Sequence, residues 1–201
     1  DYDSRLHFGI NGADKTNTWR DYEGIKYEVD MPEWQYQSFS IDLFVNNDWG
    51  TTDQNAGLWA QGEDVNGNIS AWPILAYRNS SNIDAGFYSY DYIDDPDYGW
   101  DLFLPTGVDD YGKWHTLSFE LNRGTGMEYY VDGVSLGTFS DTDTADLSHV
   151  ILNAYNFGTN QDIYYDNFKA TATPEPTTML LLGAGMIGLA GLGRKKLFKK
   201  D

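Results

Sequence analysis

Apolar and polar side chains alternate through most of this chain, and this period of two strongly limits how it can fold. The pattern begins at Leu6, Phe8 and Ile10. Successive side chains of a strand point to opposite faces, so each such segment indicates a β-strand with one buried face. Further candidate strands cover 25–29, 39–45, 57–61, 74–78, 85–93, 114–121, 127–131, 134–139, 150–154 and 162–170. Sustained helical periodicity is absent from residues 1–173, which favours an antiparallel sandwich over a parallel sheet with crossover helices.

One tight turn can be assigned from four residues. Asp132 and Gly133 stand between two strand-like runs, at Val131 and Val134. An Asp-Gly pair in this position is typical of a type I′ hairpin, in which both central residues have positive φ. The sequence therefore predicts a hairpin between strands 127–131 and 134–139.

Charge and cysteine content exclude several classes of function. Residues 1–173 contain eight Lys or Arg and 29 Asp or Glu, a net charge of −21. Such a surface repels nucleic acid and anionic lipid, so we expect no nucleic-acid partner. The chain has no cysteine, which excludes disulfides, a thiol nucleophile and cysteine-based metal sites. We expect one domain over residues 1–173, stabilised by packing alone.

Three features follow one another at the C-terminus. Pro174, Glu175 and Pro176 precede an apolar run of 17 residues, 177–193, and a basic tail over 194–200 that begins Arg194-Lys195-Lys196. A helix of this length spans about 26 Å, slightly short of the roughly 30 Å hydrocarbon core, so it could only just span a bilayer. The cations would stay on the cytoplasmic side, which places residues 1–173 outside the cytoplasm.

This order of features resembles the PEP-CTERM sorting signal of Gram-negative bacteria that produce exopolysaccharide. The resemblance implies that residues 174–201 anchor the protein briefly in the inner membrane through a transmembrane helix. An exosortase would then cut the chain near the motif and release the domain to the cell surface or the extracellular matrix. An ordinary tail anchor that is never cut is the alternative. The chain begins at Asp1 without an apolar leader, so we expect that an export leader has been removed or that the sequence is a fragment.

Two other segments resemble a known fold. The run Gly112-Lys113-Trp114-His115-Thr116-Leu117-Ser118-Phe119-Glu120-Leu121, followed by Tyr129-Tyr130-Val131-Asp132-Gly133, is similar to paired strands of concanavalin A-like and laminin G-like jelly rolls. Ile163-Tyr164-Tyr165-Asp166-Asn167-Phe168 resembles their final strand. The resemblance implies a jelly-roll β-sandwich, and it makes Asp166 a candidate ligand for structural Ca²⁺, because related domains often use an acid there. It also implies that Trp114 lies in the core.

Candidate catalytic groups are few. Glu28-Val29-Asp30-Met31-Pro32-Glu33 resembles the E-x-D-x-x-E motif of glycosidases with this fold. Pro32 would remove a ladder donor from a central strand, so we expect a turn between a strand ending at Val29 and one starting near Tyr36. His115 shares a strand face with apolar residues, which predicts a structural imidazole rather than a base.

Aromatic residues carry the strongest functional signal. Tyr88, Tyr90 and Tyr92 fall on one face of a predicted strand, and Tyr98 and Trp100 follow. Sugars stack on aromatic rings while neighbouring polar groups bond their hydroxyls, so this set predicts a carbohydrate-binding surface. The alternative is that these rings belong to the sandwich core.

The sequence thus predicts an exported, non-catalytic protein that binds polysaccharide. A glycosidase or a polysaccharide lyase is a rival interpretation, and a lyase would need a Tyr, His or Arg set in the cleft. A purely structural matrix protein is another. The aspartate-rich loops at 91–97 and 141–146 could supply oxygen ligands for Ca²⁺.

Overall fold

The computed structural model describes residues 5–16, 21–30, 36–90, 100–105 and 110–173, and these form strands almost throughout. One 3₁₀ turn, Gly12–Asp14, follows the first strand. The strands are β1 Leu6–Ile10, β2 Tyr22–Glu28, β3 Tyr36–Val45, β4 Gln54–Glu63, β5 Ile69–Ala71, β6 Ile74–Ser80, β7 Ile83–Tyr90, β8 Trp100–Pro105, β9 Lys113–Asn122, β10 Gly126–Val131, β11 Val134–Ser140, β12 Asp146–Tyr155 and β13 Gln161–Thr173.

These strands form two antiparallel sheets. The first sheet has the order β1-β13-β3-β9-β10-β11, and the second has the order β2-β12-β4-β6-β7-β8, with β5 added to β4. Sequential neighbours such as β2 and β3 lie in different sheets, so the chain crosses repeatedly between the two layers. The prediction of an all-β antiparallel sandwich is confirmed.

Alternating residues of both sheets fill the space between them. In β3, Phe39, Ile41, Leu43 and Val45 are buried, while the residues between them are partly exposed. Strands β9, β10 and β13 repeat this pattern from the first sheet, and β4, β6 and β12 repeat it from the second. Burial of a continuous apolar layer is the main stabilising contribution in a fold without disulfides.

The predicted hairpin joins β10 to β11. Asp132 has φ 52° and Gly133 has φ 76°, as a type I′ turn requires. The Asp132 carboxylate also accepts a hydrogen bond from the backbone N–H of Thr116, at 2.8 Å, which connects the turn to β9.

The strand limits on either side of the predicted turn agree with the prediction. Strand β2 ends at Glu28 and β3 begins at Tyr36. Glu33 and the rest of 31–35 lie outside the described residues, as do residues 177–193 of the predicted membrane helix. Within the described ranges, no helix is long and apolar enough to cross a membrane.

The inner face of β2 is not buried, although its alternation predicted that it would be. Ile25 is 47% exposed and Tyr27 is 67% exposed. Both line an apolar groove of about 270 Å³ with residues of the first sheet, including Leu6 and Phe168. Strand β2 lies at the edge of its sheet, so its inward side chains meet the margin of the other sheet rather than its centre.

The prediction that Trp114 lies in the core is wrong. Trp114 is only partly buried, and its ring contacts Phe44 on the outer surface of the first sheet. The strand period explains the difference. Leu117, Phe119 and Leu121 point inward, so a residue at an odd separation from them must point outward.

Substitution of Gly133 by Ala tests the hairpin. An added Cβ at Gly133 would meet no atom within 4 Å, so the cost comes only from the positive φ. We expect a loss of about 1–2 kcal/mol in the free energy of unfolding, measured by denaturant titration. Gly9→Ala is the matched control, because its Cβ would make ordinary contacts at 3.8 Å or more. An equal loss in both variants would contradict the assigned turn.

Candidate functional site

The outward side chains of the second sheet form the richest polar and aromatic surface that the structure describes. In β4, Asn55, Trp59 and Gln61 alternate with the core residues Ala56, Leu58 and Ala60. Neighbouring strands continue the outward row, because paired residues point to the same side of a sheet. We call this surface the outer face of the second sheet. It also includes Tyr22, Lys26, Arg78, Tyr88, Tyr90, Trp100, His149, Asn153 and Tyr155.

Arg78 lies between aromatic rings on this face. Its guanidinium carbon is 4.2 Å from the centre of the Trp100 ring and 5.4 Å from that of Tyr88. Arg78 is paired with Gly86 on β7, whereas Trp100 is paired with Tyr90, so the long Arg78 side chain reaches Trp100 along the face rather than directly across the strands. Burial lowers the pKa of Arg78, but a guanidinium stays charged at neutral pH.

Among the side chains that the structure describes, no acid neutralises the charge of Arg78. No carboxylate of the described residues forms an ion pair with it. Burial removes water from a cation, and this loss is unfavourable when no anion takes the place of the water. The site is therefore suited to receive an external anion or a set of external hydroxyl groups.

Tyr22 extends from β2 across β12 to β4. Its hydroxyl accepts a hydrogen bond from the Asn55 side-chain nitrogen at 3.1 Å. Its ring contacts Trp59 and Tyr155 edge-on, at 4.8 and 5.1 Å between centres. Burial raises the pKa of Tyr22, and the positive charge of Arg78 opposes this shift without cancelling it. The phenol is thus neutral at physiological pH.

Three polar atoms of this face are buried without a hydrogen-bond partner. They are Oδ1 of Asn55, Oδ1 of Asn153 and the indole nitrogen of Trp59. Asn55 is 4% exposed and Asn153 is 3% exposed. Buried polar atoms are normally paired, and exceptions mark places where a ligand or water completes the bonding.

A second polar cluster lies at the other end of β4. Lys26 donates to the Gln61 oxygen at 2.7 Å, and the Gln61 nitrogen donates to Glu63 at 2.8 Å. Ser148 donates to the same Glu63 oxygen at 2.6 Å, and its oxygen is 2.8 Å from Nδ1 of His149. These groups satisfy one another, so this cluster offers no poised nucleophile.

The two ends of the face are far apart. Gln61 is paired with His149, whereas Asn55 is paired with Arg78, and Gln61 lies six positions along β4 from Asn55. At about 3.3 Å per residue this is roughly 20 Å. His149 and Arg78 therefore do not share one reaction centre.

The structure describes three of the five residues that the sequence predicted to bind sugar. Tyr88 is 6% exposed and donates its hydroxyl to the Asp84 carbonyl at 2.6 Å. Tyr90 and Trp100 are partly exposed, with ring centres 5.5 Å apart. Tyr92 and Tyr98 lie outside the described residues. The assignment of sugar binding to these residues stays a prediction.

Sequence reasoning missed Arg78, Tyr22 and Asn55. The signal for Arg78 was a single cation at the end of the apolar run 74–78, in a domain with few cations. No sequence signal connects Tyr22 to Arg78, because the two residues are on strands that only the sheet order brings close.

His115 has a structural role, as its strand face predicted. The residue is 4% exposed and its ring lies 5.0 Å from that of Phe87. Its Nδ1 is 2.7 Å from Asp132 and its Nε2 is 2.8 Å from the Asp110 carbonyl. Both ring nitrogens are thus engaged inside the protein.

Calcium at Asp166 stays a prediction. Asp166 accepts a hydrogen bond from the backbone N–H of Asn167 at 2.7 Å. Both oxygens of the opposite residue, Asp42, accept hydrogen bonds from Thr116 and Asn167. Ca²⁺ needs six to eight oxygen ligands, and no group of three metal-ligating acids or histidines occurs in the described ranges.

The aspartate loop at 141–146 has an internal role. Asp141 is 2% exposed, and its carboxylate accepts hydrogen bonds from the backbone N–H groups of Asp143 and Thr144. Asp146 accepts from the Gln37 side chain at 2.6 Å. The loop at 91–97 lies outside the described residues.

Tyr165 connects the two sheets beneath the outer face. It belongs to β13 of the first sheet and is fully buried. Its hydroxyl is within hydrogen-bond distance of two carbonyls of the second sheet, 2.8 Å from Gly57 and 3.0 Å from Asn153. Burial raises the pKa of this phenol, so it acts as a neutral donor.

Comparison with known proteins identifies the tail and the fold. A family model described as the PEP-CTERM protein-sorting motif matches residues 172–195. The chain therefore carries a PEP-CTERM motif, which indicates export, an anchor before cleavage and processing by an exosortase. A search of curated proteins finds no match.

Solved structures with the same architecture include alginate lyases. Alginate lyase Aly36B is 14% identical, with a TM-score of 0.58 over 86% of this chain and 83% of that chain. Family 7 alginate lyase A1-II′, solved in complex with substrate, is 10% identical, with a TM-score of 0.57 over 87% of this chain and 81% of that chain. At these identities the likeness shows the fold alone, a jelly-roll sandwich.

Removal of the Tyr165 hydroxyl tests the connection between the sheets. We expect Tyr165→Phe to lower the free energy of unfolding by about 1–3 kcal/mol, because buried carbonyl groups lose a donor. Tyr164→Phe is the matched control, since the hydroxyl of this neighbouring residue makes no hydrogen bond with any residue that the structure describes. Equal stability of the two variants in denaturant titration would show that the hydroxyl contributes nothing.

Proposed function

We propose that this exported domain binds an acidic polysaccharide on the outer face of its second sheet, without cleaving it. The observation that carries the proposal is Arg78, a partly buried cation held against Trp100 with no carboxylate partner in the described residues. A uronic-acid carboxylate would supply the missing anion. The flat side of the same sugar can stack on an aromatic ring.

A guanidinium suits a carboxylate better than it suits a hydroxyl. It presents parallel N–H donors that match the two oxygens of a carboxylate, and such bonds are stronger than neutral ones. Asn55, which is paired with Arg78, has a buried, unpartnered side-chain oxygen, which can accept a bond from a sugar hydroxyl that enters the face. Tyr90 and Trp100 provide ring surface beside them.

Export and fold support the same function. The PEP-CTERM motif directs the domain out of the cytoplasm, where it meets polysaccharide of the cell surface or matrix. Two of the solved jelly rolls described above are alginate lyases, one of them in complex with substrate, and alginate is a polymer of uronic acids. These structural similarities make alginate the first ligand to test.

Substitution of Arg78 by Gln tests the carboxylate contact. We expect alginate hexasaccharide to bind the full 201-residue chain in a detergent without sugar groups, as measured by titration calorimetry. Arg78→Gln should weaken this binding at least about tenfold, because a charge-assisted bidentate contact is lost.

Arg123→Gln is the control for that experiment. It removes the same charge from the turn between β9 and β10, away from the second sheet. It should leave the dissociation constant within about twofold. Unchanged binding in Arg78→Gln, or absence of binding to any acidic polysaccharide by the unmodified chain, would refute the proposal.

Eliminative cleavage is the second candidate function. A lyase removes the proton from the carbon beside the carboxylate, forms a carbon–carbon double bond and expels the glycosidic oxygen. Tyr22, Asn55 and Arg78 offer a phenol, an amide and a cation for that chemistry. The raised pKa of Tyr22 disfavours the phenolate that would act as base, which is why binding alone is the preferred function.

An absorbance assay separates the two candidates. We expect no ultraviolet absorbance from unsaturated product when the chain is incubated with alginate over pH 6–9, a range where a neutral Tyr22 cannot serve as base. Product that forms with the unmodified chain and disappears with Tyr22→Phe would establish a lyase instead. Retained binding in Tyr22→Phe would show that the variant is folded.

A further inference from the structure

The first sheet carries an aromatic row on its own outer surface, on the opposite side of the sandwich from Arg78. The row consists of Trp114, Phe44, Tyr164 and His7, one ring from each of four adjacent strands, β9, β3, β13 and β1. Adjacent ring centres are 5.2, 6.4 and 4.6 Å apart. With strands about 4.8 Å apart, the row is roughly 14 Å long.

The rings form the walls of an open groove rather than a closed layer. The groove has a volume of about 530 Å³ and is also lined by Arg5 and Asn46. The Phe44 ring is nearly perpendicular to Tyr164, at 84°, whereas His7 and Tyr164 are stacked at 12°. The notch between Phe44 and Tyr164 thus has two aromatic sides.

The aromatic row is accessible. The three larger rings are partly exposed and the His7 side chain is 49% exposed. Cross-strand pairing of aromatics stabilises a sheet by itself. Sheet stabilisation alone would not explain the polar groups at the rim of the groove. The rim carries the Asn46 amide and the His7–Asp162 pair, whose Nε2 and Oδ1 atoms are 2.8 Å apart.

We infer that this groove is a second carbohydrate-binding site, and that it takes a neutral oligosaccharide. Sugars combine apolar C–H faces with many hydroxyls, which fits a groove with aromatic walls and hydrogen-bonding groups at its rim. The groove crosses four strands, so it suits a short chain of sugars better than a single one.

Charge favours a neutral ligand at this groove. Arg5 lines the groove, but the Asp162 carboxylate at the rim offsets that charge, and the imidazole of His7 is directed towards Asp162. Residues 1–173 have a net charge of −21, which opposes the binding of a polyanion in general.

The two surfaces are on opposite outer faces of the sandwich, so one molecule could hold two polysaccharide chains at once. Sheets in such folds lie about 10 Å apart. Two sites on a rigid spacer increase the retention of the protein in a polysaccharide network beyond the affinity of either site. This inference does not depend on the acidic-polysaccharide proposal, because it uses none of the same residues.

Affinity electrophoresis tests the inference. The full chain, in a detergent without sugar groups, should be retarded in gels that contain a neutral polysaccharide from a panel of mixed-linkage β-glucan, xylan and galactomannan. Trp114→Ala and His7→Ala should each raise the dissociation constant from that gel series about three- to tenfold. His7→Ala changes an exposed side chain, so it remains informative if Trp114→Ala fails to fold.

Two controls make the result specific. Tyr130→Ala removes a partly exposed ring from the same outer surface, on β10, and should leave retardation unchanged. Arg78→Gln should also leave it unchanged. The inference is overturned if no neutral polysaccharide retards the chain, if His7→Ala binds normally, or if Tyr130→Ala loses as much. Retardation in alginate alone that depends on Arg78 would overturn it while leaving the acidic-polysaccharide site intact.

Discussion

The contact of the buried Tyr165 hydroxyl with two carbonyls of the opposite sheet fixes the position of the second sheet, and of the candidate site on it, relative to the first sheet. Gly57 and Asn153 supply those carbonyls, and they belong to β4, which carries Asn55 and Trp59, and to β12, which carries Tyr155. A hydroxyl in an apolar layer is stable only when it is bonded, so the contact fixes β13 against these two strands. Shape complementarity alone would allow the sheets to slide, whereas a directional bond restricts their position.

Much of the fold could be predicted from the sequence, because the period of two is dictated by strand geometry. The alternation in β3 and β9 and the Asp132-Gly133 turn agree with the structure. Trp114 was wrongly predicted to lie in the core because that prediction followed a family resemblance. The alternation of its own strand places residue 114 on the face opposite to that of Leu117. The exposure of Tyr27 could not be predicted, because whether a strand face is covered depends on its place in the sheet and not on its own residues.

The candidate site was only partly predictable for the same reason. Tyr88, Tyr90 and Trp100 are near one another in sequence, and strand pairing keeps them near one another in space. Arg78 and Tyr22 come close to these residues only because the strands pair in the order β2-β12-β4-β6-β7-β8. That order depends on pairing between residues that are far apart in sequence. The PEP-CTERM motif could be predicted from the sequence, because its features are local and consecutive, and the family match covers residues 172–195.

The most direct measurement of the central claim is an NMR titration of the isotope-labelled chain with alginate hexasaccharide. The side-chain N–H signals of Arg78 and of the Trp100 indole report on the outer face of the second sheet, and the Trp114 indole reports on the opposite surface. The account predicts concentration-dependent shifts at Arg78 and Trp100, with Trp114 unchanged. Shifts confined to Trp114, or no shifts at saturating ligand, would contradict it.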